Sequence, residues 1–332
     1  MCVVAAIVAG VVLDRTMTSR TVHVVVIAEQ EPSVQPTRSV ALAPSVRTAA
    51  LASSRIGKAG PRSAPPLKSS VLLSFRRFQA TQPGAIGIAV ETLAGSRVTS
   101  LGDDVAAHAW STSKVPVLVA LMTAEATQGL SAEQRAETYT AITESDNDAI
   151  LALFGDLERL DGGLVPASLA VERVLAEAGD THTVVTTAPP PPGAVTTFGQ
   201  TEWSPSTSVR FFRALGAGCL LPPQQTDGII DLMEHIEPAE SWGLGSAHFA
   251  VPVAFKGGWG PESDGYLVRQ SGIVDPGSSK GVAISIVAHP PAGADSFEVG
   301  TEMVTAAAGW LSENLVIARR PGRMCAVSGA GS

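Results

Sequence analysis

Strand-forming and helix-forming stretches are segregated along this chain, and that segregation limits the folds open to it. Short apolar runs at 85–93 and 98–101, joined through Gly95-Ser96, read as a hairpin. Three more strands, at 251–256, 266–273 and 281–289, are separated by Gly, Pro, Asp and Ser turns. Outside these lie two amphipathic helices. One, at 67–80, carries Val71, Leu72, Phe75 and Phe78; the other, at 297–315, carries Val299, Met303, Val304, Ala307 and Leu311. The middle favours helix at 115–128, 132–142, 148–156, 169–178, 206–215 and 226–235. Ser131 with Gln134 forms a capping box, and Ser204 before Pro205 is a helix start. A four-proline run imposes an extended loop at 188–193. The simplest assembly is an α/β fold of the α+β kind: an antiparallel sheet built from both chain ends, flanked by the terminal helices, with an inserted all-helical lobe. The cleft between two such lobes is a natural binding site.

The 45% hydrophobic and 16% charged content suits a globular domain with a sizeable core. A net charge of −8, with no Lys/Arg-rich stripe, argues against nucleic acid. Residues 28–66 and 318–332 have linker composition, which leaves one domain at 67–317. Residues 2–13 form an apolar run of secretory-signal length, although no basic residue precedes it. Residues 1–27 therefore read as a signal or anchor remnant, and the chain as exported or held at the cell envelope. An N-terminal strand, in a chain that stays in the cytoplasm, is the alternative. Cys2, Cys219 and Cys325 are too few and scattered for a metal site or a disulfide framework. One pair is open to them, but the unpaired reading is preferred.

Ser111-Thr112-Ser113-Lys114 stands just after Trp110 and just before a long apolar run. On a helix, residues three apart share a face, so the Ser111 hydroxyl and the Lys114 amine can meet. Of the lysines present (Lys58, Lys68, Lys114, Lys256 and Lys280), only Lys114 has a serine at that offset. Ser145-Asp146-Asn147 and Lys256-Gly257-Gly258 follow in order. A serine nucleophile needs a base within hydrogen-bond reach, and a lysine serves only when part of it is neutral. Burial and a neighbouring cation both lower a lysine pKa, and Lys256 can be that cation if its strand lies against the helix bearing Ser111. Ser111 also falls at an expected helix N-terminus, where free N–H groups stabilise an oxyanion. Each element has a plainer reading beside the chemical one. Ser-Asp-Asn are helix-capping types, and Lys-Gly-Gly can be a strand ending in a turn. His108 reads as a surface-loop histidine, and Glu202 as a surface glutamate before a helix start.

The ordered trio resembles the class A β-lactamase and penicillin-binding superfamily over about residues 67–317. By that resemblance Ser111 would form the acyl-enzyme and Lys114 would help deprotonate it. Ser145 would relay a proton to the leaving nitrogen, and Asn147 would hold Lys114 and the substrate amide, while Asp146 would be structural. Lys256 would supply positive potential for acyl transfer and for a substrate carboxylate, with Gly257 and Gly258 lining the substrate. The oxyanion hole would be the backbone N–H groups of Ser111 and Trp259. The resemblance implies no metal and no organic cofactor. It implies a monomer acting on a small-molecule or peptide substrate, β-lactam or peptidoglycan-like, and touching a membrane only through an N-terminal anchor.

Three departures narrow this. The middle residue of the Lys-x-Gly element is Gly257, so a hydroxyl that would bind a carboxylate is missing. The short span from Ser111 to Ser145 implies a trimmed helical lobe. No Glu-x-x-Leu-Asn pattern lies between Asn147 and Trp203, and residues 179–200 hold no glutamate at all. Acylation is expected and rapid β-lactam turnover is not. The alternative is a non-catalytic envelope protein that keeps the fold to bind peptidoglycan fragments or a partner. Other chemistries lack their motifs: His-Glu-x-x-His, Gly-x-Ser-x-Gly and the phosphate-loop pattern are all absent.

Overall fold

A computed structural model describes residues 69–95, 97–263, 265–293, 296–315 and Cys325. The expected signal or anchor remnant at 1–27, the linker at 28–66 and the rest of the 318–332 tail lie outside the described residues. In chain order the first elements are α1 (Ser69–Gln79), β1 (Ala85–Thr92), β2 (Thr99–Gly102) and β3 (Ala107–His108). The helical stretch holds α2 (Lys114–Ala124), α3 (Ala132–Thr143), α4 (Asn147–Asp161) and α5 (Leu164–Glu177). β4 (Glu202–Trp203), α6 (Pro205–Gly216) and α7 (Pro223–Glu234) follow. The chain closes with β5 (Val253–Glu262), β6 (Gly265–Val274), β7 (Val282–His289) and α8 (Ser296–Asn314).

The main sheet has the order β2-β1-β7-β6-β5 and is antiparallel throughout. It is therefore assembled from both ends of the domain: β1 from the N-terminal side pairs with β7, from Ala85↔His289 to Thr92↔Val282. Helices cover both faces. Ser208 of α6 shares a hydrogen bond of 2.7 Å with Ser285 of β7, and Ser285 bonds Ser271 of β6 at 2.9 Å. Val268 lies three positions from Ser271 and so faces the other way. It meets α8, where a Cβ on Gly300 would come within 2.3 Å of it. The terminal helices join through aromatic packing, with Trp310 edge-on to Phe75 at 5.4 Å and stacked on Phe78 at 5.9 Å.

α2 is the hub of the helical lobe. Its sequence KVPVLVALMTA is apolar on every side, and residues Lys114 to Met122 are all buried. A helix apolar all round is stable only when surrounded, and α3, α4 and α5 pack about it. Pro116 is accommodated because it falls in the first turn, where no intrahelical N–H bond is lost. The Ser131–Gln134 capping box forms in full, and the Ser204 hydroxyl accepts from Thr207 N–H to open α6.

Two expectations need correction. The Lys-Gly-Gly stretch does not end a strand: β5 runs on through Gly257, Gly258 and Trp259 to Glu262. Ladder bonds use only the backbone, and here the glycines serve close contacts rather than a turn. The cysteines are not all unpaired, because Cys219, just after α6, forms a disulfide with Cys325. Their separation of 106 residues leaves no local sequence signal for the pair. Closing a loop of that length stabilises a fold by about 2–5 kcal/mol. Cys325→Ser is therefore expected to lower the unfolding free energy by about that amount, measured by denaturant titration, and reductant should then have no further effect.

Candidate active site

Ser111 lies in a single 3-10 turn, Trp110–Ser113, that runs directly into α2. In 3-10 geometry side chains three apart eclipse, so Ser111 and Lys114 project to the same side. Trp110 enters this turn in the left-handed region, with φ +47°, and Ser145 adopts φ +56° between α3 and α4. Such backbone costs about 1–3 kcal/mol per non-glycine residue and persists only where the surroundings impose it. Trp110 is held through its indole N–H, which donates to Glu262 Oε1 at 3.0 Å, and through its carbonyl, which accepts from the Ser113 hydroxyl at 2.6 Å. Ser145 is held by its neighbour: Asp146 N–H donates to Thr140 O at 3.1 Å, and the Asp146 carboxylate caps α4 through Ala149 N–H at 2.7 Å. The triplet thus caps a helix and presents a hydroxyl to two lysines at once.

Two buried lysines converge on that hydroxyl. Lys114 Nζ donates to the carbonyls of Ser145 and Asp146 and, at 3.4 Å, to Ser145 Oγ. Lys256 Nζ donates to Ser145 Oγ at 2.8 Å and pairs with Glu240 Oε2 at 3.3 Å. Lys114 is 1% exposed and Lys256 0%, so neither ammonium is solvated as in water. Burial, reinforced by the charge of Lys256 and opposed by Glu240 and Asp146, pulls the Lys114 pKa down to about 7. Burial also lowers Lys256, with Glu240 opposing it. At neutral pH a large fraction of Lys114 is therefore free amine, able to accept a proton.

β5 passes beside the Ser111 turn. A Cβ on Gly258 would stand 2.9 Å from Ser111 N and 3.0 Å from Thr112 N. One on Gly257 would stand 3.1 Å from the Trp242 ring, and one on Gly260 only 2.3 Å from the Trp110 ring. The glycines therefore let this strand approach Ser111, with the Trp259 backbone next along it. The Trp259 ring packs against Trp242 at 6.1 Å and Phe297 at 5.1 Å, making an aromatic wall.

Some residues sit otherwise than expected. Asn147 opens α4 and is exposed; its amide is not an acceptor for Lys114, whose partners are the two backbone carbonyls and Ser145 Oγ. The Ser111 hydroxyl makes no hydrogen bond among the described residues. His108 belongs to β3 rather than a loop, with Nδ1 2.7 Å from Glu262 Oε2. Glu202 is exposed just before α6, as expected, and as part of β4 is the register partner of His108. Behind this short ladder Arg269 is fully buried, donating to the carbonyls of Ala107, His108 and Trp203. Glu240 was not foreseen at all: nothing in its local sequence pairs it with a lysine sixteen positions on. Among the described residues no group of three or more His, Cys, Asp or Glu is gathered to hold a metal ion.

Two outcomes follow from this geometry. A lysine-selective NMR titration should place the Lys114 midpoint near 7, and Lys256→Met should move it upward, because a neighbouring positive charge is lost while Glu240 remains. Gly258→Ala puts a methyl group against backbone atoms that no rotamer can clear. It is expected to cost roughly 1–3 kcal/mol of stability, as overpacking does, and to part β5 from the Ser111 turn, read by thermal melting and by reactivity of Ser111.

No family model and no curated protein sequence matches this chain. Solved structures do. A β-lactamase from Burkholderia vietnamiensis aligns over 77% of this chain and 100% of its own, at a TM-score of 0.58 and 16% identity. The chromosome-encoded β-lactamase of Vibrio parahaemolyticus aligns over 74% of this chain and 99% of its own, at 0.58 and 16%. A β-lactamase from Streptosporangium roseum aligns over 74% and 98%, at 0.57 and 15%. The sheet built from both chain ends, the inserted helical lobe and the terminal helices are thus those of the β-lactamase fold.

Proposed function

We propose that this chain is a serine hydrolase or acyl-transferase that forms an acyl-enzyme on Ser111 with an amide, lactam or ester. The observation that carries this reading is the pair of buried lysines on the Ser145 hydroxyl, one of which, Lys114, is three residues along the turn from Ser111. In the acylation step neutral Lys114 takes the proton from Ser111 Oγ as that oxygen bonds to the substrate carbonyl carbon. The tetrahedral oxyanion lies against the backbone N–H groups of Ser111 and Trp259. As it collapses, the bond to the leaving nitrogen or oxygen breaks, and that atom takes the Lys114 proton through Ser145 Oγ. Lys256 fixes the Ser145 hydroxyl and lends positive potential. Gly257 and Gly258 let β5 bring its backbone close beside Ser111, where it lines the substrate, and exposed Asn147 offers its amide at the rim. Water then releases the acyl group, or another nucleophile accepts it. The lack of glutamate in residues 179–200 makes that second step slow.

The Cys219–Cys325 disulfide supports an oxidising compartment, and so an exported protein. A second reading, a non-catalytic protein that binds through the same cleft, draws on the unbonded Ser111 hydroxyl. A fluorophosphonate probe and a fluorescent penicillin decide between them. Labelling of Ser111 by the uncharged fluorophosphonate is expected, abolished by Ser111→Ala and slowed roughly 10²–10⁴-fold by Lys114→Ala, the range of general-base contributions. Because the free amine is the reactive form, the labelling rate should climb as pH rises through about 7 and level off above it. Any adduct formed with the penicillin is expected to persist for hours. A folded protein that takes neither label would defeat the enzyme reading, and rapid nitrocefin turnover would defeat the claim of slow deacylation.

A further inference from the structure

The charge on Lys256 is already answered from within the chain. Its ammonium is fully buried, and its two polar partners are Ser145 Oγ at 2.8 Å and the Glu240 carboxylate at 3.3 Å. An incoming carboxylate would have to displace Glu240 or sit beside it as a second negative charge, which a low-dielectric cleft penalises. Gly257 offers no hydroxyl, and the space a side chain would use is closed by the Trp242 ring at 3.1 Å. The main chain that carries that ring is held. The Trp242 carbonyl accepts from buried Gln270 Nε2 at 2.9 Å, while Gln270 Oε1 accepts from Leu244 N–H at 2.6 Å, so one side chain clamps the whole segment. Beyond it the wall is Trp259 and Phe297. Arg269, opposite Gly258 in register, gives only Nη1 to backbone carbonyls and leaves Nε and Nη2 unpartnered among the described residues, but it is 0% exposed and so gives a solvent-borne anion no alternative seat.

We propose that the acyl donor accepted here is uncharged where it meets β5: an ester or neutral amide whose flanking group is aromatic or aliphatic and carries no carboxylate. This rests on Ser111 as the nucleophile, and it deepens that reading by naming the substrate class. Glu240 acts through Lys256 and the charge of the subsite; it is a specificity-determining residue rather than a catalytic one.

The test uses a matched pair that differs only in charge, methyl 3-acetoxybenzoate and 3-acetoxybenzoate, with kcat/KM corrected for spontaneous hydrolysis. The uncharged ester is expected to be at least about tenfold better, a difference of ~1.4 kcal/mol. Glu240→Gln, which frees the Lys256 charge, should narrow that gap at least threefold while the melting temperature reports its folding. Equal or better use of the carboxylate ester by the unmodified protein overturns the proposal. Binding separates it from the reading beneath it. Quenching of tryptophan fluorescence in Ser111→Ala by methyl 3-hydroxybenzoate, against 3-hydroxybenzoate, reads the charge preference without chemistry. A protein that hydrolyses neither ester yet binds the neutral phenol preferentially would sink the Ser111 reading and uphold the uncharged subsite. Preferential binding of the carboxylate would sink the subsite alone.

Discussion

An amine has to be kept out of water for this site to exist. Lys114 sits on the first turn of a helix that is apolar all round, so placing its ammonium there is unfavourable before any partner is counted. The site compensates only in part: two main-chain carbonyls accept from Nζ, while the charge of Lys256 works the other way. What results is a base poised near neutrality. The rest of the local structure serves that compromise. α3, α4 and α5 surround α2, the left-handed Ser145 turns its carbonyl inward, and β5 closes the remaining side with a strand made thin by glycine.

Strain and charge are distributed along the same line. The two non-glycine residues with left-handed backbone at this site, Trp110 and Ser145, precede Ser111 or supply the hydroxyl on which both lysines converge. Each is fixed by contacts reaching far along the chain, Trp110 to Glu262 and Ser145 to Lys256. Relaxing either would require unmaking a long-range contact as well as a local turn. Preorganisation here is therefore a property of the tertiary structure, since no local segment could impose it.

Much of the fold was legible because it is written in local periodicity. The segregation of strands from helices located all five strands of the main sheet and the helical insertion, and the Ser131–Gln134 box and Ser204 marked their helices by side-chain chemistry alone. The ordered motifs located the lysines and the serine between them. What escaped was non-local. Glu240 has no pattern connecting it to Lys256, the β3–β4 ladder is two residues long, and Cys325 pairs across 106 positions. The extension of β5 through Gly257 and Gly258 escaped for another reason. Glycine signals a turn and a close approach alike, and only the neighbours in space tell them apart. Asn147 shows the converse limit, since a motif position names a residue type without guaranteeing the contact.

The disulfide has a consequence of topology as well as of stability. Between Cys219 and Cys325 the chain is a covalent ring that takes in α7, all of β5, β6 and β7, and α8. A single peptide-bond cut anywhere inside that ring leaves the two fragments tied together. Lys256 and the strand that carries it would therefore stay attached to Ser111 after a protease had nicked the chain between Cys219 and Cys325.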